Sequence, residues 1–82
     1  MQYQTLASLP LEQKAYIEQL NLNGELHRRL LELGFFAGNQ VIPLFRSPLG
    51  DPTAYMVMDS VVALRKEDAG QIFIHLCKKE EV

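Results

Sequence analysis

The chain has 82 residues, enough for one domain with a modest core, and a formal net charge of −2 that argues against a nucleic-acid partner. Its hydrophobic content of 48% and charged content of 22% are those of a globular chain rather than a disordered one. A single cysteine, Cys77, excludes an intrachain disulfide, and no apolar run approaches the roughly 20 residues needed to span a bilayer.

Met1-Gln2-Tyr3-Gln4 has no cationic start and no apolar block after it, so no secretion signal is read there and a cytoplasmic location is expected. Ser8-Leu9-Pro10-Leu11-Glu12 then has the form of a helix start, with proline in the first turn. Tyr16, Ile17 and Leu20 follow at helical spacing, and the residues alone favour a helix over Pro10–Leu20. Asn23 precedes Gly24-Glu25-Leu26 as an N-cap with an acidic first turn, predicting a helix over Glu25–Leu33. Leu22, Leu26, Leu30 and Leu33 fall on one face of it, Arg28, Arg29 and Glu32 on the other, and Gly34 is placed for a left-handed cap.

Beyond it, apolar runs alternate with breakers. Val41–Arg46 reads as a strand, and Pro43 inside it demands an edge position or a bulge. Thr53–Met58 and Val61–Leu64 are strands joined by a turn at Asp59-Ser60. Arg65–Gly70 is about one helical turn, and Ile72–Leu76 is a last strand with Ile72, Ile74 and Leu76 on one face. Lys78–Val82 is a short charged tail.

Ser47-Pro48-Leu49-Gly50-Asp51-Pro52 lies between two of these strands. Pro48 and Pro52 each fix φ, Gly50 permits a positive φ, and Asp51 can bond downstream backbone. These residues predict a stiff connection, one whose ordering entropy is largely prepaid and which is suited to recognition. Leu49 at the tip is either an apolar anchor for a partner or a plug folded back over the core.

The order RRL-x-ELG-hydrophobic-x-x-G, then PLGDP, then ALRKEDA-x-x-I resembles the FeoA family, small cytosolic proteins of bacterial ferrous-iron uptake. It is carried by Arg28–Gly38, Pro48–Pro52 and Ala63–Ile72 and runs from about Leu6 to Leu76. The resemblance implies a mainly β fold with one or two short helices, a small SH3-like β-barrel forming one domain with a core over about 6–76. It also implies a strand at about Lys14–Leu20, with Ala15 and Ile17 inward and Tyr16 and Glu18 outward, and this strand is preferred to the helix. The family commonly has glycine where Leu11 and Asp59 stand. Its implied function is a cytosolic adaptor that docks on the cytoplasmic part of the FeoB permease, a membrane protein with a G-domain, and modulates its assembly or state. The alternative is a metal-responsive sensing domain like the C-terminal domain of metal-dependent repressors. With no length left for a DNA-binding part, the free-standing form is expected.

No phosphate-cradling loop, nucleophile elbow or H-E-x-x-H pair is present, so no catalytic residue and no nucleotide hydrolysis is expected. His75 and Cys77 would share a strand face, yet two ligands are too few for a closed metal site, and no metal or cofactor is assigned. His27 reads as solvent-exposed or edge-packed. The candidate partner-binding residues are Pro48, Leu49, Gly50, Asp51 and Pro52, with Arg28 and Arg29, which could equally pair with Glu25 and Glu32 on their own helix. Of Phe35 and Phe36, one should pack under the helix and the other stay near the surface. Nothing in the sequence specifies an oligomeric state.

Overall fold

The computed structural model describes residues 4–76. The charged tail, and Cys77 before it, lie outside the described residues. The first strand, β1 (Gln4–Thr5), runs into a short 3-10 turn at Leu6–Ser8. Then follow β2 (Ala15–Leu20), α1 (Gly24–Leu33), β3 (Gln40–Arg46), β4 (Thr53–Val57), β5 (Ser60–Leu64), α2 (Lys66–Ala69) and β6 (Ile72–His75). The strands form one antiparallel sheet in the order β1-β6-β2-β3-β4-β5. The fold is thus mainly β with two short helices.

The helix that residue spacing favours over Pro10–Leu20 is absent. Leu11 and Glu12 make a turn instead, in which Glu12 takes a left-handed φ of 69° and donates its N–H to the Pro43 carbonyl at 2.7 Å. The chain then enters β2, where Ala15 and Ile17 are buried, Tyr16 is half-buried and Glu18 is exposed, as the implied strand required. Pairing with β6 and β3 satisfies its backbone and outweighs the helical spacing.

α1 keeps its expected span, with one residue added at its start. Gly34 has φ 117°, and the Phe35 N–H reaches the Leu30 carbonyl at 2.9 Å, the Schellman arrangement of a helix end. A Cβ placed on Gly34 would stand 2.6 Å from Val57 Cγ1, so glycine here also permits β4 to approach. Asn23 is extended as an N-cap should be, but its side chain makes no capping bond. Of the four leucines of the apolar face only Leu30 is fully buried; Leu22, Leu26 and Leu33 are partly covered.

Pro43 is accommodated as a bulge: the β3–β4 register shifts between Pro43 and Phe45, and β3 pairs with β2 only at Gln40 and Val41, before the proline. The β4–β5 turn is Met58-Asp59, one residue earlier than expected, and Met58 rather than Asp59 has the positive φ, 54°. Ser60 therefore opens β5 opposite Val57. The last strand stops at His75, one residue short of the expected span, and Leu76, expected to share a face with Ile72 and Ile74, is 40% exposed. Phe35, Leu6, Ile17, Val57 and Ile72 sit at the centre of the core with no exposed area, while Phe36 remains at the surface.

Candidate functional site

Four hydrogen bonds hold Ser47–Pro52 in one shape. Ser47 N–H donates to the Pro52 carbonyl at 3.0 Å, Gly50 N–H to the Ser47 carbonyl at 2.8 Å, and Ser47 Oγ to the Asp51 carbonyl at 2.7 Å. The fourth ties the loop outward: Asp51 Oδ1 accepts the backbone N–H of Lys66 at 2.8 Å. Asp51 therefore bonds the start of α2 and not its own downstream backbone. Gly50 has φ 92°, and the Asp51–Pro52 peptide is cis. Leu49 does not fold back over the core; it is 94% exposed at the tip. Pro48 and Gly50 are also exposed, while Asp51 and Pro52 are half-buried at the base.

Beneath the loop lies a small cleft of about 150 Å3 lined by Ala7, Arg46, Gly50, Thr53, Tyr55 and Lys66. The Tyr55 hydroxyl points into the core and donates to the Leu6 carbonyl at 3.4 Å. Burial pushes this phenol above its ordinary value; a hydrogen bond with Thr53 and the charge of Arg46 act the other way, and Asp51 adds to the rise.

The two arginines of α1 part company. Arg28 pairs with Glu25 one turn back, an intrahelical contact at i,i+3. Arg29 has no ion pair among the described residues and lines a groove of about 540 Å3 between α1 and β5. Leu26, Leu30 and Leu33 form its helix side and Ser60–Leu64 its strand side. At the Leu64 end, β5 leads directly to Lys66 and so to the base of the proline loop. This groove, with Val61 55% exposed on its strand side, went unrecognised in the sequence. Its only local signal was the alternation of Ser60-Val61-Val62-Ala63-Leu64, which marks a strand but not its place in a sheet.

On the opposite side of the sheet order, His75 Nδ1 pairs with Glu18 Oε1 across β6 and β2, and Tyr16 stacks on the His75 ring with centroids 5.9 Å apart. Cys77, the other half of the pair weighed for metal binding, is outside the described residues. His27 is half-buried on α1. No group of three or more His, Cys, Asp or Glu suited to a metal occurs among the described residues, and no helix there is long and apolar enough to cross a membrane.

Comparison with known proteins completes the picture. The model of the FeoA domain matches residues 4–76. A fusion of Fe(2+) transport protein A with the Fe(2+) transporter FeoB, from Porphyromonas gingivalis, is 37% identical over 71 residues. That match takes in 87% of this chain and 8% of the fusion, so the chain spans less than a tenth of its curated relative. Among solved structures, Stenotrophomonas maltophilia FeoA complexed with zinc, described as a prokaryotic SH3 domain protein, superposes with a TM-score of 0.77. Identity is 32%, over 94% of this chain and 95% of that one. Iron(II) transport protein A from Clostridium thermocellum superposes with a TM-score of 0.82 at 32% identity, over 89% of this chain and 45% of that one. The sheet is that of a small SH3-like barrel.

Proposed function

Because this chain belongs to the FeoA family, we propose that it is an accessory subunit of ferrous-iron uptake that docks on the soluble, cytoplasmic part of a FeoB-type permease. The observation that carries this reading is the relative in which the two proteins are one polypeptide. Fusion holds two modules at an effective concentration on the millimolar scale, which is useful when they work in contact. The chain acts as a binding module, with no catalytic residue and no cofactor of its own, and it works in the cytoplasm.

Docking uses the proline loop and the arginine face of α1. Leu49 stands clear of the fold on a loop held by four internal and tethering bonds, so little entropy is lost when a partner closes over it. Pro48, Gly50, Asp51 and Pro52 set that shape. Arg29, and to a lesser degree the self-paired Arg28, meet acidic groups of the permease. Once docked, the chain shifts the permease between states only by its difference in affinity for them. The reading is tested by titrating the chain into the purified soluble domain of the permease from the same organism. Saturable binding is expected, and its absence overturns the reading.

A further inference from the structure

Among the described residues β5 ends the sheet and has a strand neighbour on one side only. Its hairpin with β4 closes over the two-residue turn Met58-Asp59, so the pair Val57 and Ser60 exchanges both main-chain bonds. In an antiparallel ladder such pairs recur at every second residue. Ser60, Val62 and Leu64 therefore aim their backbone groups at β4, whereas Val61 and Ala63 aim theirs away from the sheet. Natural edges are usually short, bulged, charged or interrupted by proline, because an open edge invites another strand. Among the described residues the opposite edge, β1, is two residues long and obeys this. β5 does not: Ser60–Leu64 has no charge and no proline, and its register with β4 runs without a shift.

Beside this edge lies the α1 groove, with Leu26, Leu30 and Leu33 as apolar wall and Arg29 as its one charge among the described residues. An occupant thus needs an extended backbone, apolar side chains toward α1 and a carboxylate for Arg29. A second copy of this chain meets these needs badly. Antiparallel pairing of β5 with β5 offers Arg29 no carboxylate from Ser60–Leu64, and a two-fold axis across the joined edge sets both α1 helices on the same face.

We propose that β5 accepts an extended acidic segment of the permease's soluble part as an added strand, main chain to Val61 and Ala63 and carboxylate to Arg29. This rests on the docking reading above and specifies its geometry: strand addition supplies affinity, and the groove supplies selectivity.

The test titrates the full chain and its variants into the recombinant soluble domain of the permease, with amide hydrogen exchange followed at Val61 and Ala63. Ala63→Pro removes an outward N–H while leaving the β4–β5 bonds, to which Ala63 does not contribute. Arg29→Glu reverses the groove's charge. Lys14→Glu, exposed and outside both the groove and the proline loop, is the control. Binding should slow exchange at Val61 and Ala63; Ala63→Pro and Arg29→Glu should each weaken affinity by roughly tenfold or more. Lys14→Glu should stay within about twofold, a few tenths of a kcal/mol. If Ala63→Pro does not fold, the exchange data and Arg29→Glu decide. Wild-type binding with unprotected Val61 and Ala63, and full affinity in both variants, overturns strand addition while the docking reading stands. Protection that appears on concentrating the chain alone identifies a second copy as the occupant and overturns the proposal. No wild-type binding overturns both.

Discussion

The carboxylate of Asp51 accepts the backbone N–H of Lys66, 15 residues away, at 2.8 Å. The bond anchors the proline loop to the first turn of α2 and satisfies a helix-start donor that lacks a partner within the helix. Asp51→Ala should therefore lower stability by about 0.5–2 kcal/mol, the range for losing a cap, and Asp51→Asn should lose less because it keeps the acceptor. Urea melts of the three proteins check both values; equal stability of all three contradicts the tether.

Leu30 has 1% of its surface exposed, and it is the deepest residue of the α1 face. Leu30→Ala should cost about 2–5 kcal/mol, the range for a buried leucine. Leu33→Ala should cost distinctly less, since Leu33 only packs against the edge of the core. The ranking is read from denaturant midpoints, and the reverse order would show the helix to be rotated.

Gly34→Ala combines a left-handed backbone with a Cβ 2.6 Å from Val57 Cγ1. The backbone term is about 1–2 kcal/mol and the overlap adds on the order of 1–3. A thermal melt showing less than about 0.5 kcal/mol, the scale of a surface change, contradicts this packing of α1 on β4.

Tyr55 links stability to alkaline pH. Its phenol is raised in the folded state, above the unfolded value near 10, chiefly by burial. Between those values the unfolded chain loses a proton that the folded one keeps. The contribution is complete below the unfolded value and is lost as pH rises toward the folded one. The stability difference between wild type and Tyr55→Phe, measured by urea from pH 8 to about 11, should be flat at first and then shrink wild type's share. A difference that stays flat throughout contradicts the shift.

How far the sequence could be read depended on how local each signal was. α1 and its end at Gly34 follow from leucine spacing and one glycine, both within a few residues, so the helix was legible. The leucine spacing identified the face but not depth, because which leucine meets β5 or the core centre depends on distant strands. β2 was misleading for the same reason: Tyr16, Ile17 and Leu20 fit a helix, and only hydrogen-bonding to β6 and β3 settles the strand. The proline loop was legible as a stiff connection, since Pro48, Gly50 and Pro52 act on their own backbone. Its tether to Lys66 was not, and neither was the edge position of β5, which is a property of strand order. Likewise, nothing local separates Arg28, satisfied by Glu25, from Arg29 in the groove.

The central claim, docking on the permease through the proline loop, is tested most directly at Leu49, the most exposed large apolar side chain of the described residues at 94%. Leu49→Asp is paired as a thermal melt and a titration against the permease's soluble domain. At an exposed tip the substitution should change stability by no more than about 0.5 kcal/mol. In an interface the new carboxylate must be desolvated without a partner, at a cost of several kcal/mol, so binding should fall by roughly tenfold at least. A native melt with binding strongly weakened is the predicted result; a native melt with unchanged affinity contradicts the account.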